Sequence, residues 1–257
     1  MSPIDVTSLA NRLETIESLV YLETVTSTNL LARRVMSECS ESEISLPEAM
    51  IIAGEQTGGR GRGSRTWSSP PDKGIYATIL HHVSSEEFAV LPLRVATILA
   101  SYLRETFGID AGIKWPNDIL VDGRKIAGIL IEARNSGDGA HVIIGVGVNI
   151  FEGETPATAV SVAELSKREH VELDSAIEAF VEHFDQHLGE SIAPNAVIAE
   201  WKSLAVHKRG DRVTCVVGDR TIEGTWDDID DNGRALIKKG PETIPVSAGD
   251  LTLSEDN

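Results

Sequence analysis

The period of the apolar positions changes several times along the chain, and the changes divide it into elements. Residues 19–25 (Leu-Val-Tyr-Leu-Glu-Thr-Val) have the aromatic and β-branched content of a strand. Thr26, Ser27, Thr28 and Asn29 then offer several N-caps to a helix running through Leu30, Leu31, Val35 and Met36. A polar tripeptide is therefore expected at a strand-to-helix junction. Residues 49–54 and 75–81 read as apolar strands. Between them, residues 56–73 carry a Gly/Arg run and Trp67-Ser-Ser-Pro-Pro, which suit neither a helix nor a central strand, so a long loop is predicted. Apolar residues at helical spacing (Leu91, Val95, Ile98, Leu99, Tyr102, Leu103) predict a helix over 91–107, stopped by Gly108. Short strands at 113–115 and 119–121, the Asp122-Gly123 turn and a run over 125–132 predict a hairpin, and 141–150 a further strand. Residues 174–203 read as two helical pieces broken at Pro194.

From about residue 204 the pattern shortens. Runs at 212–217, 221–226, 234–238 and 243–246 alternate with turns at Gly218-Asp219, Asp231-Asn232-Gly233 and Gly240-Pro241, the signature of a small β-barrel. The expected architecture is α+β: one mixed sheet with helices on one side over residues 1–203, and the barrel over 204–257. The length of 257 residues and a hydrophobic content of 41% allow a core of that size.

Composition narrows the partners. Forty acidic against 23 basic residues give a net charge of -17, which disfavours non-specific binding to nucleic acid or to an anionic membrane. The acidity is uneven: residues 1–56 hold three basic and nine acidic side chains, residues 57–134 ten and eight, residues 135–257 ten and 23. The one stretch that escapes it, at a net +2, is where an anionic ligand would be held. Arg outnumbers Lys by 15 to 8, which together with the acidity reads either as adaptation to high salt or as a surface tuned for solubility. No apolar run reaches the ~18 residues of a membrane span, and the N-terminus lacks the basic and apolar pattern of a signal peptide, so a cytoplasmic location is expected. Cys39 and Cys215 form no CxxC pair and are expected to be spectator thiols.

The most informative segment is Gln56-Thr-Gly-Gly-Arg60-Gly-Arg62-Gly-Ser-Arg65-Thr-Trp67. Its glycines let the backbone approach a ligand and turn N–H groups toward an anion, while Arg60, Arg62 and Arg65 add forked cations suited to phosphate or carboxylate. A dinucleotide fingerprint would open a helix, but Trp and two prolines follow here. A Walker A loop would contain Gly-Lys-Ser/Thr, and a nucleic-acid-binding Arg-Gly tract would be repetitive and set in a basic chain. Anion handling is the reading that remains beside a merely flexible surface loop. A second cluster, Lys114-Trp115-Pro116-Asn117-Asp118, precedes the hairpin. Alone it reads equally as a turn; beside the loop, its Asn-Asp pair suits a magnesium ion carried on ATP, and its lysines a reacting anion.

These motifs resemble the biotin protein ligase family over roughly residues 20–257. The likeness rests on Ser27-Thr28-Asn29, on Gln56 with the Gly59-Arg60-Gly61-Arg62 run, Arg65 and Trp67, on Lys114 to Asp118, on Lys125-Ile-Ala-Gly-Ile-Leu-Ile-Glu132 and on Gly145-Val-Gly-Val-Asn149, in the family's order and spacing. The resemblance implies a class II synthetase-like core with an SH3-like C-terminal barrel. It implies an enzyme that uses ATP and Mg2+ to convert biotin to biotinyl-AMP and transfers it to a lysine of a biotin carboxyl carrier domain. By the same resemblance Ser27, Thr28, Asn29, Gln56, Gly59 and Gly128 would line the biotin pocket, and Arg60, Arg62 and Lys125 would be catalytic and hold the carboxylate and phosphate. Gly61, Arg65, Trp67, Asn117, Asp118 and Asn149 would serve the nucleotide, with Asn117 and Asp118 nearest the metal. A lipoate or octanoate ligase or transferase is the related alternative, and a non-enzymatic biotin or nucleotide sensor the alternative of another class. The chain departs from the family's best-known loop at Ser64, where a third glycine is usual. Only about twenty residues precede the first core strand, so a DNA-binding role is not expected; free sheet edges would allow a homodimer or a carrier docked edge to edge.

Overall fold

A computed structural model describes residues 4–137, 139–153 and 158–253. The elements run α1 (Val6–Ala10), β1 (Ser18–Val25), α2 (Thr28–Glu41), β2 (Ala49–Gln56), β3 (Gly74–Ser84), α3 (Ser85–Phe107), β4 (Gly112–Lys114), β5 (Asp118–Val121), β6 (Arg124–Ser136) and β7 (Gly139–Asn149). They continue as α4 (Val162–Leu165), α5 (Leu173–Gly189), α6 (Pro194–Leu204), β8 (Arg212–Val217), β9 (Arg220–Ile229), β10 (Ala235–Lys239), β11 (Glu242–Val246) and β12 (Asp250–Leu253).

Strands β1 to β7 form one mixed sheet in the order β1-β2-β3-β7-β6-β5-β4. Only β1 and β2 are parallel, which is why α2 lies between them in sequence: a parallel pair needs a crossover, whereas its neighbours are joined as hairpins or through longer excursions. The central strands are apolar on both faces. On one face Met50, Ile52, Ile79 and Ile144 meet the large core built with α3, α5 and α6; on the other, Ile51, Leu80 and Ile143 meet Ala32 and Met36 of α2. The expectation of helices on one side thus describes α3, α5 and α6, while α2 covers part of the second face, because strands without a polar side need a lid on both.

Helix α3 starts six residues before the predicted 91. Ser84 accepts from the Glu87 N–H and the Glu87 carboxylate accepts from the Ser84 N–H, a capping box that starts the helix well ahead of Pro92. Strands β6 and β7 extend the predicted 125–132 and 141–150 into one long hairpin paired from Ala127↔Val148 to Ser136↔Gly139. Pro194 opens α6 at its first position, which divides the helical run as expected.

Strands β8 to β12 form a separate antiparallel sheet, ordered β11-β10-β9-β8-β12, with a final strand over residues 250–253 that the sequence pattern had not disclosed. The order is open, and Pro245 sits on the edge strand β11, where a missing N–H costs no ladder bond. This sheet shares the main core: Val213, Cys215, Trp226 and Ile237 join the same apolar cluster as α6, where Trp201 lies 6.4 Å from Trp226. Cys215 is buried there and Cys39 half-buried, both free thiols.

Candidate functional site

One cleft collects most of the predicted residues. It opens between the start of α2, the loop after β2, the β5–β6 hairpin, β7 and the residues leading into β12.

Its first end is neutral and buried. Ser27, the N-cap of α2, is buried together with Thr28 and Asn29. Thr28 donates through N–H (2.9 Å) and hydroxyl (3.1 Å) to Gln56 Oε1, and Gln56 donates from Nε2 to Ser69 Oγ at 2.9 Å. The hydroxyl of Thr78, buried on β3, lies 2.7 Å from both Thr28 Oγ1 and Asn29 Oδ1. Asn29 Nδ2 is buried without a partner. The helix start, the strand end and their neighbours thus hold five polar side chains, Thr28, Asn29, Gln56, Ser69 and Thr78, in fixed orientations, with one amide donor left over. An orphan of this kind marks a place for an acceptor from outside.

The loop beyond β2 folds back on itself. Gly61 N–H donates to Arg65 O (2.9 Å), Trp67 N–H to Gly59 O (3.0 Å), and Arg60 bridges Thr66. The turn at its tip runs Arg62-Gly63-Ser64-Arg65, closed by Arg65 N–H to Arg62 O at 3.2 Å. Gly63 takes the left-handed conformation (φ 63°), so the turn's one special backbone position is filled by glycine, and Ser64 sits where no glycine is required. The returning segment sets Trp67 against Gly147 and Gly128 of the sheet. A Cβ at Gly147 would lie 2.4 Å from the indole, so only glycine leaves room for the ring, and Gly128 faces Gly147 across the β6–β7 ladder. Trp67 Nε1 is buried and unpartnered. Farther along, the Tyr76 hydroxyl donates to Pro70 O at 3.0 Å; burial first, and then the charge of Asp72, push its phenol above the usual range and keep it a donor.

The second end is charged. Lys125 contacts Asp118 and lies 5.3 Å over the Trp67 ring, and Lys114 lies 3.7 Å from Asp118. Arg62 donates to Asn117 Oδ1 (3.2 Å) and to the carbonyl of Gly249 (3.0 Å). Arg60 lies 3.6 Å from Glu132, which also pairs with Arg33 of α2, and one Arg60 Nη is buried without a hydrogen bond. Arg65 pairs with Asp250. Asn117 returns its amide to Ile129 O, and so is held from both sides.

The cleft therefore brings together Ser27, Thr28, Asn29, Gln56, Arg60, Gly61, Arg62, Arg65, Trp67, Asn117, Asp118, Lys125 and Gly128 from well-separated stretches of chain. It does not bring in Asn149, whose amide is spent on the carbonyls of Lys125 (3.4 Å) and Val160 (3.2 Å), where it clamps the segment after β7 against the start of β6. Gly59 lies behind the loop, packed on the Trp67 carbonyl and Ser69. Sequence reasoning missed Thr78, Ser69 and the Gly249–Asp250 wall, and gave Glu132 no role beyond its place in a motif. Glu132, four residues after Gly128 on an alternating strand, shares its face and could have been found that way. Among the described residues no cluster of three or more His, Cys, Asp or Glu could hold a metal.

The model of the biotin/lipoate A/B protein ligase family matches residues 22–149. A biotin--[acetyl-CoA-carboxylase] ligase of Paracoccus denitrificans is 32% identical over 220 residues, 77% of this chain and 88% of that one. Among solved structures, the biotin protein ligase from Aquifex aeolicus in complex with biotin and ATP superposes with a TM-score of 0.73 at 22% identity, over 93% of this chain and 100% of that one. That from Leishmania major in complex with biotinyl-5-AMP gives 0.58 at 25% identity, over 90% and 99%. The Aquifex likeness speaks to the fold, the Paracoccus relative to the family.

Proposed function

The chain belongs to the biotin/lipoate A/B protein ligase family and is a biotin protein ligase, and we propose that the cleft is where biotin and ATP react. One observation carries this reading: a buried, neutral hydrogen-bonding end and a cationic end share a single cavity, and each keeps a buried donor that makes no hydrogen bond, Asn29 Nδ2 and the Arg60 Nη that faces Glu132 at 3.6 Å. A fused ring bearing a cyclic urea has the acceptor and donors that Thr28, Asn29 and Gln56 can pair with, and its carboxylate tail would lead past Trp67 toward Lys125.

A carboxylate is a poor electrophile with no usable leaving group. In the first step its oxygen attacks the α-phosphorus of ATP, pyrophosphate leaves, and biotinyl-AMP forms. In the second, the neutral amine of a carrier lysine attacks the mixed anhydride, the amide bond forms, AMP leaves and the amine loses its proton. The first step brings anions together, so catalysis is mainly positional and electrostatic, the part assigned to Arg60, Arg62 and Lys125. Trp67 walls the space between the two ends. Gly61, Arg65 and Asn117 belong to the nucleotide side, and Asn149 acts behind it by holding Lys125 in place.

The residues fit Mg2+ in one way. Asp118 offers a single carboxylate already facing two lysines, and the Asn117 amide oxygen is occupied by Arg62, so the chain does not make a cage of its own. Such a donor set suits an ion that keeps most of its waters and arrives on the phosphates of ATP, with Asp118 and then Asn117 as its protein ligands. There it would neutralise phosphate charge.

The division of labour falls near residue 204, with the ligand ends on residues 1–203 and a small SH3-like unit, 204–257, closing the anion side. The free edge of β1, where Val20 is 42% exposed, is the place for a carrier domain or a second copy of the chain to add a strand. We assign the enzyme to the cytoplasm and give it no nucleic-acid partner.

The test is incubation with ATP, Mg2+ and biotin, with mass spectrometry for biotinyl-AMP, and with lipoate and octanoate in parallel. Biotinyl-AMP alone is expected. Preference for lipoate or octanoate would overturn the choice of acid, and no adenylate from any of the three would overturn the enzyme.

A further inference from the structure

The connector between α6 and β8 does more than join two sheets. Strand β4 is the edge of the seven-stranded sheet, and residues 205–207 run beside it: Ala205 bridges Ile113 in parallel, and Val206 N–H donates to Ile113 O at 2.9 Å. One step on, the regular ladder ends. The Trp115 N–H meets no backbone carbonyl; it donates instead to His207 Nε2 at 2.9 Å. Trp115 is almost fully buried, and its indole donates to Gly233 O at 3.1 Å, so its backbone hangs on the connector and its side chain on the turn between β9 and β10. His207 is itself buried, and its ring stacks on Trp226 with centroids 4.3 Å apart and planes 20° apart. Its Nδ1 has no partner, so the whole polar function of the ring is spent on Trp115.

Two and three residues beyond Trp115 lie Asn117 and Asp118. On the other flank this turn is fixed by Ile129 N–H to Asn117 O at 3.1 Å. On its near flank the imidazole is the fixing group. We propose that His207 is a positioning residue for adenylate formation: as a neutral acceptor on Trp115 N–H it sets the turn that presents Asn117 and Asp118 to the nucleotide. The proposal rests on the nucleotide role given to that turn above. Only the neutral ring can serve, because protonated Nε2 would face an N–H as a second donor. The ionisable groups around it are Lys114 and Asp211. Burial first, then Lys114, lower the imidazole to about 4 against the opposing pull of Asp211, so the ring keeps its lone pair throughout the neutral range.

The test uses His207→Phe, which keeps the stacking and removes the acceptor, and His207→Gln, whose amide oxygen reaches the place of Nε2. Adenylate formation is measured per active site, titrated with a non-hydrolysable biotinyl-adenylate analogue. Phe is expected to lower kcat roughly 10- to 100-fold with KM for biotin within about threefold, the size of effect that follows when a reacting group is misplaced by about an ångström. Gln is expected to recover most of the loss. A role in folding alone would lower the titrated fraction and leave kcat per site intact. Parent-like kcat in the Phe variant, or a Gln variant no better than Phe, overturns the proposal. Should Phe fail to fold, nitrogen NMR of histidine-labelled unaltered enzyme decides together with Gln: His207 is expected as the Nδ1–H tautomer, and an Nε2–H signal overturns the assignment. If the unaltered enzyme makes no biotinyl-AMP, the functional reading falls and takes the role given to the turn with it, whereas a failure of the variants alone leaves that reading standing.

Discussion

At one end of the cleft Thr28, Gln56, Ser69 and Thr78 satisfy one another through neutral hydrogen bonds; at the other, Arg60, Arg65 and Lys125 are each paired with a carboxylate of the protein, Glu132, Asp250 and Asp118. The first arrangement is a finished mould. Ser69 and Thr78 brace Gln56, Thr28 and Asn29 from behind, and on the proposed function binding of a ring there would ask little ordering of them. The second is provisional. Cations gathered to receive a carboxylate and a phosphate would repel one another if left bare, so the protein lends them its own anions, and the ligand's charges replace those on arrival. On the proposed function, recognition by shape would belong to the first end and chemistry to the second.

The comparison breaks most visibly at Lys125. Lys125→Ala removes a cation whose side chain is one-third exposed and leaves Asp118 the second lysine, Lys114. Adenylate formation is expected to fall by about 10²- to 10³-fold, the usual cost of one stabilising group in the transition state, with the melting temperature nearly unchanged. Arg62→Ala is expected to match it, since Arg62 ties Asn117 to the Gly249 carbonyl. Single-turnover rates of adenylate formation, read beside thermal unfolding, check both. A near-parental rate in either variant would show that the reacting carboxylate is not at the cationic end.

A middle-sized effect is expected at the neutral end. Thr78→Val keeps the shape of a fully buried side chain and deletes the hydroxyl shared by Thr28 and Asn29. Leaving those groups short of a partner costs about 1–3 kcal/mol, which should appear as a biotin KM raised roughly 5- to 150-fold while kcat at saturating biotin holds. Steady-state kinetics over a wide biotin range separates the two. A fall in kcat with unchanged KM would mean that the neutral end takes part in the chemistry rather than in recognition.

The two ends also differ in how far the sequence discloses them. The start of α2 and the loop are legible because each carries a local signal: N-capping residues after a strand, and a Gly/Arg run that no regular element accepts. The Asp122-Gly123 turn likewise places Lys125 on the returning strand of a hairpin. What holds these pieces together is not local. Thr78 looks like any residue of an apolar strand, and its partners lie about fifty positions earlier. Gly249 and Asp250 lead into a four-residue strand too short to stand out by period, yet they grip loop arginines some 185 positions away. Asn149 teaches the converse: its motif is legible, but its amide faces the Lys125 and Val160 carbonyls, a choice made by the segment packed beside β6. The second cover of the main sheet by α2 follows the same rule, because which face of an all-apolar strand a helix takes is decided by packing and not by pattern.

The smallest expected effect tests the claim that the carboxylates at the charged end are on loan. Arg65 and Asp250 are both more than half exposed, so their pairing contributes at most about 1 kcal/mol to stability. Asp250→Asn should therefore leave thermal unfolding almost unchanged. What it should alter is competition: with the internal anion gone, Arg65 is free for the nucleotide, and the KM for ATP is expected to fall by less than about fivefold in dilute buffer, in line with that energy. The gain should disappear near 1 M salt, where screening acts over about 3 Å and the pair no longer matters. Titrating ATP for both proteins at low and high salt reads this directly. If the KM rises instead, and stays raised in salt, then Asp250 is a permanent part of the nucleotide site, and the charged end is as much a finished mould as the neutral one.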